Sequence, residues 1–154
     1  MYLFNAPALA QALRSGRVSE GEKTLYFVVL SVFQSVLAAW RSAAGSGRSD
    51  AATYAVSALV VSAGVYVCYR ANAAGDGQRF VERYVCLSVP LTIWTIGAGF
   101  LISALLMYGA GLEGGVYATV GHIANLLLWA AYFAVMRSLI SRAAGDPGEA
   151  HPEG

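Results

Sequence analysis

The sequence is short of charged residues. Only 10 lysines and arginines and 9 aspartates and glutamates occur among 154 residues. The charged fraction is 12%, where a soluble domain carries about 25%. The net charge is +1 and there is no basic tract, so the sequence gives no indication of nucleic-acid binding. The two cysteines, Cys68 and Cys86, are too few for a disulfide framework.

Motifs of catalysis and metal binding are also missing. No spacing of His, Cys, Ser or acidic residues matches a hydrolase motif, a phosphate-binding loop or a metal site. We therefore expect a protein without enzymatic activity, without a metal and without a cofactor. Membrane enzymes assemble their sites from separate helices, so an enzyme or a haem-type electron carrier stays open as a third alternative.

Long apolar runs are what the sequence has instead. Hydrophobic residues make up 57% of the chain and are concentrated in four blocks, at about 20–40, 51–69, 84–108 and 116–139. About 20 apolar residues in a helix cross a hydrocarbon core of about 30 Å. The pattern predicts an all-α protein, a four-helix transmembrane bundle within residues 1–142. Its third span should kink at Pro90, which lacks the N–H that a helix interior needs.

Shorter features flank these spans. Residues 8–14 follow Pro7 with apolar positions at helical spacing, which predicts a short interfacial helix with Leu9 and Leu13 inward. Ser19 and Glu22 match a capping box at the start of the first span. Residues 143–154 are rich in glycine, proline and acidic residues, and we expect them to be disordered. The second span carries a stripe of small residues suited to helix packing: Ala51, Ala55, Ala58 and Ser62.

Basic residues indicate the orientation. Eight of them fall on one side of the predicted bundle: Arg14, Arg17, Lys23, Arg70, Arg79, Arg83, Arg137 and Arg142. Only Arg41 and Arg48 fall on the other side. Basic residues prefer the cytoplasmic side of a membrane. We therefore expect both termini and the central loop in the cytoplasm, with the chain in a bacterial inner membrane and both cysteines as free thiols.

The central loop is the first candidate site. Its polar residues could bind a ligand or a partner segment on the cytoplasmic side: Asn72, Asp76, Arg79, Glu82 and Arg83. The simpler interpretation is that Asn72 ends one helix, that Asp76 caps the next, and that the arginines anchor the chain to lipid headgroups.

Polar stripes inside the spans are the second candidate site. They are expected to converge, because polar side chains avoid lipid, and could form a pathway through Gln34, Thr92, Thr95, Ser103, His122 and Asn125. Such residues in membrane helices also serve as hydrogen-bonding contacts between helices. Wet pathway, interhelical contact and cofactor ligand at His122 all stay open.

The function we expect is that of a non-enzymatic membrane module. It would act as a homo-oligomer, or as an accessory subunit of a partner membrane protein that contacts residues 72–83. The alternative is a small oligomeric channel or transporter that uses the polar stripes.

Overall fold

The protein is entirely helical in the part of the chain that the computed structural model describes, residues 2–43, 51–110 and 114–145. The five helices are α1 (Ala6–Arg14), α2 (Glu20–Ala43), α3 (Ala51–Ala73), α4 (Phe80–Ala104) and α5 (Gly114–Ala144), and a π-helical turn, Leu105–Gly109, extends α4. Among the described residues, three segments are long and apolar enough to cross a membrane: Ala55–Ala73, Phe80–Gly109 and Thr119–Ala144. The prediction of an all-α chain with helices that are long and apolar enough to cross a membrane is confirmed.

Helix α1 forms where the sequence predicts it. Asn5 caps it, accepting a hydrogen bond from the Ala8 N–H at 3.0 Å, and Pro7 lies in its first turn. Leu9 and Leu13, the two positions predicted to face inward, are buried. They pack against α4 and α5, however. The protein's own helices therefore cover the apolar face for which we expected a lipid surface.

Helix α2 begins with the predicted capping box. The Ser19 N–H donates to the Glu22 carboxylate, and the Glu22 N–H donates to Ser19 Oγ, both at 3.3 Å. One turn later, Lys23 Nζ lies 2.8 Å from a carboxylate oxygen of Glu82 in the first turn of α4. Helices α2 and α4 therefore start at the same end of the molecule.

Most helices extend beyond the predicted spans. Helix α3 continues to Ala73 instead of position 69, and α4 starts at Phe80 instead of position 84. Hydropathy locates only the apolar part of a helix, whereas caps and packing determine where it ends. The C-terminal end of α5 shows the same effect, because Ala143 and Ala144 are helical and buried. The rest of the predicted disordered tail, 146–154, lies outside the described residues.

Three chain segments that are distant in sequence meet at one end, which we call the closed end: α1, the turn 74–79 and the last turn of α5. The Asp76 N–H donates to the Ala144 carbonyl at 3.3 Å. A Cβ atom on Gly75 would lie 2.6 Å from the Cβ of Ala144, so this position has room only for glycine. The Tyr2 N–H donates to the hydroxyl of fully buried Tyr26 at 2.7 Å.

Helix α5 lies at the centre of the helix packing. It contacts α1, α3 and α4, while α2 packs against α4. Helices α3 and α5 lie close together at Gly64, where a Cβ atom would lie 2.3 Å from the ring of Phe133. The predicted small-residue stripe does not form this contact, since Ala55, Ala58 and Ser62 are exposed.

Fewer side chains are buried with increasing distance from the closed end. The buried side chains of α4 lie between Arg83 and Leu91, and those of α5 between Tyr132 and Ala144. The described side chains of both helices beyond these limits are partly or fully exposed. The free thiols of Cys68 and Cys86 belong to the dense part. Pro90 lies there too, inside an α4 that continues to Ala104. The kink at Pro90 stays a prediction.

Candidate functional site

The polar residues of the central loop form a cluster around Arg83, whose residue surface is only 5% exposed. Arg83 Nη1 donates to Asn72 Oδ1 and to the Gln78 carbonyl, both at 2.8 Å. Nη1 and Nη2 of the guanidinium also donate to the Asp76 carboxylate, each to a different oxygen at 2.5 Å. Such two-point contacts are the strong form of an arginine–carboxylate pair.

The backbone of the turn is built for this arrangement. The Asn72 carbonyl accepts from the N–H groups of Gly75 and Gly77, both at 3.1 Å. Gly77 and Arg79 have positive φ angles of 67° and 52°, so the chain reverses through left-handed conformations before α4 begins. The Gln78 N–H donates to Asp76 Oδ1 at 3.0 Å. Asp76 therefore caps the turn, while Arg79 occupies the N-cap position of α4 without a side-chain capping bond.

Acidic side chains of the cluster pair with nearby basic side chains, Asp76 with Arg83 and Glu82 with Lys23. The hydrogen bond from Arg83 holds the pKa of the Asp76 carboxyl below its usual value. Of the five residues predicted to bind a ligand or partner, Asn72, Asp76 and Arg83 bind one another, and Glu82 pairs with Lys23. The Arg79 side chain is exposed at the surface of the closed end. The structure thus brings these residues together, but most of their polar groups are used internally.

A second polar region is a cavity of about 450 Å³ between α2, α4 and α5, in the loosely packed half of the molecule. Its walls include most of the predicted intramembrane stripes: Gln34, Thr92, Thr95, Ser103 and Asn125. Three helices thus contribute to one space. A pathway through these residues stays a prediction.

His122 is the exception among these residues. Its side chain is exposed, and it is not part of the cavity wall. Among the described residues, no three His, Cys, Asp or Glu side chains come close enough together to hold a metal ion. His122 therefore has no place in the arrangement that the other stripe residues form.

Apolar and aromatic side chains form most of the cavity wall. Trp129 is fixed by ring contacts with Tyr132, at 5.5 Å between centroids, and with Phe133, at 5.9 Å. Gly99 and Gly121 leave space, since a Cβ on Gly121 would meet no atom within 4 Å. Sequence reasoning missed Gly121. The available signal was its position one turn before Asn125, on the same face of α5.

The polar groups of the wall differ in how they are satisfied. Thr92 and Tyr132 line the deep end of the cavity, where Tyr132 belongs to the buried core. The Thr95 hydroxyl donates to the Leu91 carbonyl at 2.7 Å within α4. The side chains of Gln34, Ser103 and Asn125 make no hydrogen bond to the described part of the chain. These two amides and one hydroxyl are therefore free to bind water or a ligand.

Comparisons of the chain with protein-family models, with curated proteins and with solved structures give no match. The cavity and the Arg83 cluster are therefore interpreted from their own chemistry.

Proposed function

We propose that this chain is a non-enzymatic integral membrane protein that holds a small solute between its helices, as the binding unit of a small transporter. Membrane integration is supported by three segments that are long and apolar enough to span and by large apolar side chains that are exposed along them: Leu59, Trp94, Leu101, Ile123 and Leu127. Water-soluble monomers rarely expose apolar surface on this scale. The lipid bilayer, or a second copy within it, would cover these side chains.

We further propose that α2 is a fourth span and that the closed end faces the cytoplasm. Helix α2 has 24 residues, or about 36 Å at 1.5 Å per residue, which is enough to cross a bilayer. It starts at the end of the molecule where α3 and α5 finish, as an even number of crossings requires. The closed end also carries most of the basic residues, which favours a bacterial inner membrane with both termini inside.

The observation that carries the proposal is the state of the polar groups in the cavity. An amide or hydroxyl without a hydrogen bond costs several kcal/mol, about 2–7 kcal/mol on transfer to an apolar medium. Gln34, Ser103 and Asn125 would incur this cost if lipid chains filled the cavity. Because these three side chains do not bind one another, we propose that water or a polar solute in the cavity satisfies them.

The closed end makes a carrier a better fit than an open channel. Below Tyr132, α5 packs against α1, α3 and α4, and four of its side chains there are buried: Met136, Leu139, Ile140 and Ala143. The cavity therefore ends at Thr92 and Tyr132. A solute would reach it from the side opposite the closed end, and release to the cytoplasm would require a second conformation.

Cysteine accessibility tests whether the cavity holds water. In a background with Cys68→Ala and Cys86→Ala, single cysteines at Thr95 and Asn125 would report on the cavity. Cysteines at Trp94 and Leu127 are controls at matched depth, because both side chains are more than half exposed on outer faces. The reagent is 2-hydroxyethyl methanethiosulfonate, which is uncharged and water-soluble. A thiol in lipid does not ionise and reacts slowly.

We expect both cavity cysteines to react at least about tenfold faster than their matched controls. Equal rates at Thr95→Cys and Trp94→Cys would mean a dry contact and would overturn the proposal. Proton leak in liposomes separates carrier from channel. Vesicles with the wild-type protein should leak no faster than empty ones, and a leak that Gly121→Leu blocks would favour a channel instead.

A second candidate function is the accessory module with a cytoplasmic recognition surface at 72–83. It is favoured by Arg79, an exposed arginine held in a left-handed backbone conformation, since such strained residues are found disproportionately at functional sites. Cross-linking in membranes tests it. A partner subunit or second copy captured by wild type should be lost in Arg79→Ala and retained in Arg17→Ala, which alters another exposed arginine of the same end.

A further inference from the structure

We infer that the ligand of the cavity is an uncharged molecule with a flat apolar body and a hydrogen-bonding group, not an ion. The inference rests on the proposed function, because it names the class of molecule that the same cavity would take. It follows from three properties of the wall: its charge, its shape and the kind of polar groups that are free.

Charge is the first property. No described residue that lines the cavity carries a charge; its polar members are amides, hydroxyls and the phenol of Tyr132. An ion moved out of water needs a paired counter-charge to offset its lost hydration. Arg83 and Asp76, which could have supplied one, are bound to each other at the closed end. The wall therefore disfavours both anions and cations.

Shape is the second property. Phe100 and Trp129 contribute flat apolar surface, and Gly99 and Gly121 leave it uncovered. Because Trp129 is held by Tyr132 and Phe133, its ring is a rigid platform and not a mobile cover. Aromatic platforms favour planar ligands, which stack on them. The volume of about 450 Å³ is in the range of pockets for drug-sized molecules, about 300–1,000 Å³.

The free polar groups are the third property. Gln34 and Asn125 each offer an amide that both donates and accepts, and Ser103 offers a hydroxyl with the same versatility. Together they match an alcohol, an amide or a carbonyl on the ligand. Asn125 lies one turn from Trp129 along α5, so a ligand stacked on the Trp129 ring can reach the Asn125 amide.

Trp129 also supplies a reporter for the test. A protein with Trp40→Phe and Trp94→Phe retains only Trp129, while one with Trp40→Phe and Trp129→Phe retains only Trp94, which is 62% exposed on the outer face of α4. Four bromobiphenyl probes share one body and differ in a single group: hydroxymethyl, methyl, carboxylate or aminomethyl. Bromine quenches tryptophan fluorescence on contact. The ratio of Trp129 to Trp94 quenching for each probe removes the contribution of simple partitioning into detergent or lipid.

We expect the hydroxymethyl probe to give a ratio of at least about ten and the other three to give ratios at least about fivefold lower. Asn125→Leu should lower the hydroxymethyl ratio about fivefold, which is the loss of about one hydrogen bond. Gly121→Leu should abolish the excess quenching of Trp129 by filling the space. Gly97→Leu is the control and should leave the ratio unchanged, because Gly97 is exposed and a Cβ there would also meet no atom within 4 Å.

The contrary outcomes separate the inference from the proposed function. A carboxylate or aminomethyl ratio above the hydroxymethyl ratio overturns the uncharged class and leaves the cavity in place. A methyl ratio equal to the hydroxymethyl ratio overturns the hydrogen-bonding part of the class in the same way. Ratios near one for all four probes, with no effect of Gly121→Leu, overturn the inference and the proposed function together.

Discussion

The Arg83 guanidinium forms a salt bridge with the Asp76 carboxylate across the turn between α3 and α4, with Nη2 2.5 Å from Oδ2. The same guanidinium also binds Asn72, which is fully buried at the end of α3. One side chain thus joins the end of α3, the turn and the start of α4. The pair is a structural joint of the closed end. We expect its removal to lower the stability of the fold more than it lowers the binding of a ligand or partner.

The first prediction concerns this joint. Arg83→Met removes the partner of Asn72 Oδ1, whereas the Gln78 carbonyl keeps the hydrogen bond that the Asn72 amide donates at 3.2 Å. A buried polar group without a partner costs about 1–3 kcal/mol. We expect the free energy of unfolding in detergent to fall by about that amount. Arg79→Met, four residues earlier and exposed, should change it by less than about 0.5 kcal/mol. Equal losses in the two variants would mean that the cluster contributes nothing specific.

The second prediction concerns pH. Because Arg83 lowers the pKa of Asp76 in the folded protein, the pair stabilises the fold above the unfolded pKa of about 3.9. That contribution is lost as pH falls below about 4 through the folded pKa. The Asp76 side chain is 39% exposed, so solvent screens part of the effect. Asp76→Asn should reduce the difference in thermal midpoint between pH 6 and pH 3, and an unchanged difference would contradict the assignment.

The third prediction concerns the contact of α3 with α5. Gly64→Ala places a methyl group where the Phe133 ring now lies, so the helices must separate or the ring must move. Overpacking of this kind costs about 1–3 kcal/mol. Gly97→Ala is the matched control in α4, because its Cβ meets no atom within 4 Å. Unfolding monitored by circular dichroism should show a loss for Gly64→Ala only.

The fourth prediction concerns the attachment of α1. Tyr26→Phe removes the acceptor of the Tyr2 N–H and keeps the buried ring, at a cost of about 0.5–1.5 kcal/mol. Hydrogen exchange of the α1 amides should accelerate more than that of α4. Tyr69→Phe removes a hydroxyl from a half-exposed ring that packs edge-on against Phe80, and it should leave α1 unchanged. Equal acceleration in both variants would show that the hydroxyl of Tyr26 does not hold α1.

Residues that act through local sequence were predictable from sequence. The capping box of Ser19 and Glu22 and the first turn of α1 at Pro7 depend on neighbours within four residues, and both form as expected. The central loop shows the limit of such reasoning. Arg79 and Arg83 are four residues apart, which is the spacing of one helix face. Arg79 instead has a left-handed backbone before α4, so only Arg83 belongs to the helix, and only Arg83 is buried.

The polar stripes show a second limit. A helix turns about 100° per residue, so His122 lies about 100° around α5 from Gly121, while Asn125 lies about 40° from it. The cavity wall is centred near Gly121 and Asn125, and His122 falls outside it. The sequence determines these angles relative to each other. It does not determine which angle faces α2 and α4, because that depends on packing between helices, such as the contact at Gly64.

The central claim is that four helices cross a membrane with the closed end inside, and site-specific labelling in intact bacteria tests it most directly. In the background without Cys68 and Cys86, single cysteines would be introduced as Ala74→Cys in the turn of the closed end and as Arg48→Cys in the segment between α2 and α3. An impermeant maleimide should label Arg48→Cys in intact cells and Ala74→Cys only after the inner membrane is opened. Labelling of Ala74→Cys from outside, or of both cysteines alike, would contradict the account.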